Sequence, residues 1–423
     1  MKQKTDNTLV DLKHQIRFSI NSEEKKTFIS NNRTGILKST NDGREGEYSS
    51  TEFGSVEEIN DCLSINNTKR SIKVDNNFNS QFTASRILRE NQDILNTLEN
   101  LNLYKWTLSS KVTSIQRYIL KKSDKFKKNI FNHFNLSINF KLSENIPAIE
   151  IGVGVSDNLR INRDALKSRL KDIIENNRNF KNIEFKKKLP IILDAGDGGI
   201  LFHEIIGHSL EADYIAQKIS PFTINDIGKQ IFPKNLTIST SDKNDKFFSL
   251  NSDDEGNELI DKDLISNGIL NKILTDNYHN KLLNIQASGS ARTENFTQLC
   301  QPRMHSIYIK PGKFNPKEMI ASVKYGIFVK EFGEGKVFFS NKTFSLIIKE
   351  SYLIENGIIT APLGTIVLKG NISEVLNSIK MIGNDFRYDR GVSYCSKNGQ
   401  TLNVRVGQPT IKIENVLVSR PKK

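Results

Sequence analysis

The sequence is poor in cysteine and in long apolar runs. Among 423 residues there are three cysteines, Cys62, Cys300 and Cys395, which lie far apart and are odd in number. This excludes a disulfide framework and favours a reducing compartment. No stretch approaches the ~18 to 20 uninterrupted apolar residues of a membrane-spanning helix, and the N-terminus lacks the apolar core of a signal peptide. We therefore expect a cytoplasmic protein without membrane segments.

Charge is unbalanced towards the basic side, at +13 from 61 Lys and Arg against 48 Asp and Glu. Basic patches bind phosphates, so nucleic-acid binding is one alternative function. The basic residues are spread along a chain that is rich in Lys, Asn and Ile throughout, which is typical of solvated surface. We therefore expect no nucleic-acid partner.

Length and patterning predict three regions and a fold of the α+β class. Residues 1–82 are polar, with short alternating segments typical of strands, and we expect an exposed loop over 40–55. Residues 83–187 combine two amphipathic helices with alternating strands and predict a middle α+β domain. Residues 188–420 are rich in strand-like segments and predict a β-rich C-terminal domain.

Two helices are expected to interrupt these C-terminal strands. Asn315 and Pro316 form a typical helix start, and Gly326 is a typical helix end. The second helix is expected near 373–382, ending at Gly383.

Two histidines and a glutamate lie within six residues, in the segment HEIIGH that begins at His203 and ends at His208. Neutral imidazole is a common zinc ligand, and the adjacent carboxylate of Glu204 is a candidate general base. Five residues place the two rings roughly 140° apart on a regular α-helix. A local i→i+5 widening brings them to about 50° apart, and Gly207 would ease it. The spacing therefore predicts a non-ideal helix over 203–208.

A catalytic zinc site usually takes three protein ligands, so the two histidines need another partner. The candidate third ligands are Glu211, Asp213, His279, His305, Cys300 and Cys395. Local chemistry does not choose among them. Glu211 and Asp213 are also candidates for orienting the histidine rings as hydrogen-bond acceptors, the alternative being a structural role at a helix end.

Several segments together resemble the TldD/PmbA family of bacterial and archaeal metallopeptidases. HEIIGHSLEAD resembles the HExxxH signature of that family, and further family-like segments follow in order: DDEG, SGSARTENF, PRM, VKEFGEG, YLIENG, MIGND and CSKNGQ…VGQPT. The resemblance is dense over about residues 190–418. It implies an α/β N-terminal region followed by a β-rich C-terminal domain that carries the HExxxH metal-binding helix.

The resemblance also implies a site and a function. Zn²⁺ would be bound by His203, His208 and Cys395, with Glu204 taking the proton of the zinc-bound water. The substrates would be peptides or small unfolded proteins, including precursors of modified peptide natural products.

The family pairs a catalytic TldD-type subunit with a PmbA/TldE-type subunit that lacks the motif. This chain keeps the motif and therefore resembles the catalytic type. We expect a heterodimer with such a paralogous subunit, and a homodimer is the alternative. A non-catalytic partner subunit is the alternative function.

Three further residues are candidates for holding the carboxylate or main chain of a peptide: Arg292, Arg303 and Tyr308. The alternative for each is a structural or surface role. Within SGSARTENF, Ala291 stands where a basic or polar residue is expected, so we expect substrate contacts there to differ from the family pattern.

Overall fold

The structure is a computed structural model of the whole chain. It describes residues 5–23, 25–41, 46–53, 55, 58, 84–121, 127–144, 148–156, 161–184, 186–240, 247–248, 250–259 and 262–421. Cys62 lies outside these residues.

The N-terminal part forms one antiparallel sheet. Its strands are β1 (Thr5–Asn21), β2 (Lys26–Asn41), β3 (Gly46–Glu52), β4 (Lys105–Lys121), β5 (Lys127–Lys141) and β6 (Ile149–Ser156). They stand in the order β3-β2-β1-β4-β5-β6, with every neighbouring pair antiparallel. Parallel βαβ units define an α/β region, so the α/β arrangement expected here is wrong and the described strands are of the α+β type.

Alternation along the strands gives this sheet an apolar face. Even-numbered side chains of β1 and β4, among them Ile16, Phe18, Leu108 and Val112, are buried in one apolar cluster. Three helices contribute to the same cluster: α1 (Ala84–Glu90), α2 (Gln92–Glu99) and α3 (Arg163–Arg178). Because successive side chains of a strand point to opposite faces, the odd-numbered residues form a second face. The two amphipathic helical segments predicted for this part of the chain are confirmed, except that the first is divided at Asn91 into α1 and α2.

The second face is polar and packs against the C-terminal part of the chain. Arg117 on β4 donates to Asp254 at 2.6 Å, and Asn135 on β5 donates to the hydroxyl of Tyr394 at 3.0 Å. The polar face is therefore covered, and it forms one wall of the spaces that lie between the two parts.

Two larger sheets build the C-terminal part. The first contains β7 (Lys186–Leu193), β14 (Tyr325–Phe338), β15 (Thr343–Glu355), β16 (Ile358–Pro362), β17 (Ile366–Asn371), β18 (Ile379–Ile382) and β23 (Ile411–Ser419). The second contains β8 (Ile238–Thr240), β9 (Lys262–Ser266), β10 (Ile269–Leu270), β13 (Ser306–Ile309), β19 (Arg387–Tyr388) and β22 (Arg405–Gln408). Two short pairs complete the strands: β11 (Ala291–Arg292) with β12 (Gln301–Pro302), and β20 (Tyr394–Lys397) with β21 (Gln400–Asn403).

The first sheet closes on itself. Its order is β14-β7-β23-β17-β15-β16, β18 pairs with β23, and β14 also pairs with β15. Its buried side chains join those of the second sheet in one large apolar core. The strand-rich character expected of this part follows from its many short runs of Ile, Val and Phe, which favour strands.

Short helices connect these strands. They are α4 (Gly199–Phe202), α5 (Ala212–Ala216), α6 (Asn277–Leu283), α7 (Pro316–Ala321) and α8 (Ile372–Asn377). No helix among the described residues is long and apolar enough to span a bilayer.

Both predicted helix ends in this part are wrong. The helix at Pro316 begins as predicted, with the Asn315 side chain accepting from the Lys317 N–H at 2.9 Å, but it ends at Ala321. Gly326 belongs instead to β14, where the following aromatic and β-branched residues pair with β7. Likewise, α8 ends at Asn377, and the residues up to Ile382 form β18 because they pair with β23.

The loop expected over 40–55 is also wrong in part, because Gly46–Glu52 form β3 and pair with β2. Small polar residues on an edge strand lack the apolar alternation that marks a buried strand.

The division at residue 82 stays a proposal about domains, but it does not separate two sheets. Asn7 to Asn21 of β1 pair with Thr107 to Lys121 of β4 across that division. The division at 187/188 falls within β7, which begins the C-terminal sheets.

Candidate metal centre

The HEIIGH segment follows β7 through a turn and the short helix α4. Residues His203–Gly207 form a π-helix, in which the His208 N–H donates to the His203 carbonyl. A 3₁₀ turn, His208–Leu210, follows. The predicted i→i+5 widening is therefore confirmed, and it turns both imidazoles to the same side of the helix.

The structural reason for a glycine at position 207 differs from the one expected. Its backbone is ordinary right-handed helix, with φ −53° and ψ −59°. A Cβ at this position would instead overlap the sulfur of Met304. The glycine therefore serves close packing of the helix against Met304, and the expectation that it eases the distortion is wrong.

The two histidines meet the cysteine of strand β20. The ring centroids of His203 and His208 are 5.0 Å apart at an interplanar angle of 81°, and His208 Nε2 lies 3.2 Å from Cys395 Sγ. One ligand atom from each of the three residues lies within 4.8 Å of the others. All three side chains are buried. Among the described residues, this cluster is the one in which three His, Cys, Asp or Glu side chains lie close enough together to bind a metal ion.

The residues present fit a zinc ion. Zn–N bonds of about 2.0 Å and Zn–S bonds of about 2.3 Å place tetrahedral ligand atoms roughly 3.3 to 3.6 Å apart, so the observed cluster needs only small side-chain adjustments. Neither ring nitrogen of buried His203 has a hydrogen-bond partner outside the cluster among the described residues. A buried polar group without a partner is costly, and a metal bond would relieve that cost.

The other candidate third ligands lie elsewhere. His279 is bound through Nδ1 to Asp276 at 2.7 Å at the start of α6. His305 is buried beside the Phe248 ring, and burial lowers its pKa well below the usual range. Burial likewise raises the pKa of the Cys300 thiol. None of these side chains belongs to the cluster of His203, His208 and Cys395.

Glu211 contacts the second histidine, which is the contact that its candidate orienting role requires. Its Oε2 lies 2.9 Å from His208 Nδ1, which leaves Nε2 directed at Cys395. Burial opposes ionisation of Glu211, but His208 and Lys397 outweigh it and lower the pKa of Glu211 to about 2. The carboxylate is therefore charged, and it is a typical acceptor behind a metal-binding imidazole.

Lys397 is a residue of this site that the sequence reasoning missed. Its Nζ lies 2.8 Å from both Glu211 Oε2 and Asp213 Oδ1, and 4.2 Å from the Tyr214 ring centroid. Asp213 thus contacts Lys397 rather than a histidine ring. The signal was the two-residue offset from Cys395, which puts both side chains on the same face of β20.

Arg303 and Arg292 support the hairpin that carries the cysteine. Arg303 is 1% exposed and donates to the carbonyls of Cys395, at 2.6 Å, and Gln400, at 3.3 Å. Arg292 is also buried and donates to the Asn403 carbonyl at 2.9 Å. Their guanidinium groups are engaged by main chain, which favours a structural role over the predicted substrate contact.

Tyr308, the third predicted substrate contact, lies on β13 of the second sheet. Its ring packs edge-on against those of Phe386 and Tyr388, with centroids 5.9 Å and 6.1 Å away. It does not line the cleft described next. Its position also favours the structural alternative.

A cleft of about 750 Å³ opens at the cluster, with Glu204, His208 and Cys395 in its wall. Strand β14 forms another part of the wall, where its pairing with β15 is shifted between Val329 and Gly335. A Cβ on Gly335 would lie 2.8 Å from Glu204 Cγ. The glycine therefore lets the bulged strand approach Glu204 closely.

The surroundings of the site shift the pKa values of Glu204 and Cys395 in opposite directions. Burial raises the pKa of Glu204, although His203 and His208 act in the opposite direction. A raised pKa makes a carboxylate a better proton acceptor near neutral pH. Burial would raise the pKa of the Cys395 thiol, but His208 and His203 lower it well below the usual range. Thiolate is the form in which cysteine binds metals.

The fold and the site together define a mixed helix-and-strand protein with a buried His–His–Cys cluster beside a glutamate at a deep cleft. Residues 186–420 match the PmbA/TldA metallopeptidase C-terminal domain, and the chain belongs to the TldD/PmbA metallopeptidase family.

Curated proteins that are similar to this chain are named as TldD metalloproteases. The chain is 38% identical over 231 residues to a metalloprotease TldD homolog of Buchnera aphidicola, covering 54% of this chain and 47% of that protein. It is 36% identical to a zinc metalloprotease TldD homolog of Saccharolobus solfataricus, covering 54% and 51%. The chain spans about half the length of the curated relatives it matches.

Solved structures resemble the whole chain in fold. TldE from Thermococcus kodakarensis superposes with a TM-score of 0.75 at 16% identity, covering 98% of this chain and 96% of that one. A protein of Thermotoga maritima described as a putative modulator of a DNA gyrase gives 0.75 at 14% identity, with the same coverage. The shared fold therefore includes the N-terminal sheet.

Proposed function

We propose that this chain is a zinc-dependent peptidase, with the ion held by His203, His208 and Cys395 and with Glu204 as the general base. The observation that carries the proposal is the buried cluster of three ligand atoms within 4.8 Å, in which His203 has no other partner among the described residues. The names of the curated relatives agree with this class of enzyme.

The chemistry needs a proton acceptor and an ordered cleft. A bound zinc ion would acidify a water molecule and polarise the scissile carbonyl. Glu204 follows His203 in the chain and lines the cleft, so it is placed to take the proton of the attacking water and return it to the leaving amine. Glu211 and Lys397 hold His208 in the orientation that directs Nε2 inward.

We propose peptides and small unfolded proteins as substrates, including precursors of modified peptides. Residues of β14 and β20 line the cleft, and strands are a common surface for binding a peptide in extended conformation. A TldE-type paralogue is the proposed partner, and a second copy of this chain is the alternative.

The proposal is tested by Glu204→Gln with zinc content and peptide hydrolysis measured together. We expect full zinc content and a loss of turnover of at least about a hundredfold, since a general base contributes 10²–10⁴-fold. Glu318→Gln, an exposed glutamate of α7, is the matched control and should leave both unchanged. Normal turnover of the Glu204→Gln protein would contradict this role.

The alternative of a non-catalytic subunit makes a different prediction. The wild-type chain would then hydrolyse no peptide, alone or with a TldE-type partner, while remaining folded. Zinc at one equivalent together with hydrolysis would exclude that alternative.

A further inference from the structure

A second cavity, of about 310 Å³, lies between the polar face of the N-terminal sheet and the C-terminal part. Lys13 and Arg17 of β1 and Lys111 of β4 line it. Arg17 and Lys111 are direct cross-strand partners, and Lys13 lies on the same face of β1 because it is four residues before Arg17. Like charges placed opposite one another repel, so an anion bound between them would relieve that repulsion, which at the exposed Arg17 is otherwise screened by solvent.

Part of the positive charge in this cavity is neutralised by the protein. Arg117 also lines the cavity, and it pairs with Asp11 at 3.0 Å and with Asp254 at 2.6 Å. Lys13 lies 3.7 Å from Glu294, which is long for a strong ion pair. The carboxylates near the cavity are therefore largely used by Arg117 and Lys13.

Among the other cations that line the cavity, Arg292 is engaged by main-chain carbonyls, and neither Arg17 nor Lys111 has a carboxylate within ion-pair distance in the described part of the chain. Arg17 donates from Nε to the Gln15 side chain at 3.1 Å, and Lys111 Nζ lies 4.8 Å from the Tyr394 ring centroid. Burial, followed by repulsion from Arg17 and Lys13, lowers the pKa of Lys111 to about 8. An anion in the cavity would stabilise the charged form of this lysine.

The cavity borders the cleft of the candidate metal centre. Tyr394, next to Cys395 in β20, lines both spaces. Asn135 is the cross-strand partner of Lys111, lines the cleft, and donates to the Tyr394 hydroxyl. Neighbouring strands are about 4.8 Å apart and an extended chain advances about 3.3 Å per residue, so a peptide passing Asn135 needs about two more residues to reach Lys111.

We propose that the cavity bounded by Lys13, Arg17 and Lys111 binds a carboxylate of the peptide that occupies the cleft. The carboxylate is either the C-terminus of that peptide or an acidic side chain. This inference rests on the proposed peptidase function for the identity of the ligand. The geometry and the unmatched charge of the cavity do not depend on that function.

Three N-acetylated tetrapeptides of otherwise neutral residues distinguish the two sources of the carboxylate. One has a free C-terminus, one is C-amidated and contains a single Glu, and one is C-amidated and neutral. Calorimetric titration into the zinc-loaded full-length Glu204→Gln protein measures binding without turnover. We expect at least one carboxylate peptide to bind about tenfold more tightly than the neutral peptide, as a charge-assisted contact provides.

Lys111→Met should reduce this preference to less than about twofold, because the cations that remain would form only a weak, solvent-exposed ion pair with the peptide carboxylate. Lys105→Met is the matched control, because it removes an exposed lysine from the same strand outside the cavity, and it should keep the preference. If Lys111→Met does not fold, Arg17→Gln is measured in its place with the same expectation.

Equal binding of the three peptides, or a preference retained in a folded Lys111→Met protein, would overturn the inference. A preference for the free C-terminus assigns the C-terminal carboxylate, and a preference for the Glu peptide assigns an acidic side chain. Hydrolysis by the wild type without any preference contradicts this inference alone. A Lys111-dependent preference without hydrolysis keeps the anion site and contradicts the peptidase.

Discussion

Replacing Lys397 by Met tests how the candidate metal centre is held. The substitution keeps a long apolar side chain on β20 but leaves the carboxylates of Glu211 and Asp213 buried without their shared cation. Removing one partner of a buried ion pair costs roughly 3 to 5 kcal/mol in unfolding free energy. Because Glu211 also holds His208 at 2.9 Å, we expect zinc affinity to fall about 10- to 100-fold.

Two measurements separate positioning from general destabilisation. Urea unfolding of the zinc-free protein gives the stability change, and competition with a chelator gives zinc affinity in the folded protein. Lys412→Met is the control, since Lys412 is another buried lysine of the C-terminal part that contacts Ser322 and Glu414 instead of the cluster. It should lower stability and leave zinc affinity unchanged.

A Lys397→Met protein that loses stability but binds zinc as tightly as the wild type would show that Lys397 does not position His208 through Glu211. The same conclusion would follow if Lys412→Met reduced zinc affinity equally, because the effect would then not pass through Glu211.

Three other changes have defined outcomes. Gly335→Ala places a Cβ 2.8 Å from Glu204 Cγ, so peptide turnover should fall at least about tenfold while zinc content stays full, and metal analysis beside a hydrolysis assay checks it. Gly207→Ala should cost about 1 to 3 kcal/mol in urea unfolding because of overlap with Met304, and Met304→Ala in the same chain should recover part of that loss. Burial lowers the pKa of His133 to about 4 from 6.5, so its contribution to stability is complete above pH 6.5 and is lost as pH falls towards 4. Between pH 7 and pH 4 the wild type should lose about 3 kcal/mol more unfolding free energy than His133→Gln, and an equal loss in both proteins would contradict this.

The part of the site that the sequence predicted is the part set by local geometry. A five-residue spacing of histidines cannot face one metal on a regular helix, so HEIIGH alone led to the widened turn over 203–208. The segment is contiguous, and its backbone hydrogen bond joins His203 to His208. Nothing outside the segment was needed for that prediction.

The part that local reasoning left open is set by tertiary contacts. Cys395 and His208 are separated by 187 positions along the chain, and only the folded hairpin brings them within 3.2 Å. The family resemblance, rather than local chemistry, selected Cys395. Lys397 was missed because nothing marks one lysine among 61 basic residues as buried, and its two-residue offset from Cys395 is informative only once both are placed on one strand.

Arg303 shows that tertiary contacts also decide whether a charged side chain is exposed or buried. Arg303 was a candidate for holding the carboxylate or main chain of a peptide, and charged residues are usually exposed. In the fold it is 1% exposed, and its donors are used by the hairpin main chain at Cys395 and Gln400. In β3, conversely, a polar composition suggested a loop where an edge strand forms on β2. The composition of a segment indicates which secondary structure it favours, and the strands available for pairing decide which one it forms.

Cobalt(II) titration of the metal-free protein measures whether His203, His208 and Cys395 bind one metal ion together. We expect saturation at one equivalent with a near-ultraviolet thiolate-to-cobalt charge-transfer band, which Cys395→Ser abolishes and Cys300→Ser retains. A site that saturates without this band, or a band that persists in Cys395→Ser, would show that Cys395 is not a ligand of the metal.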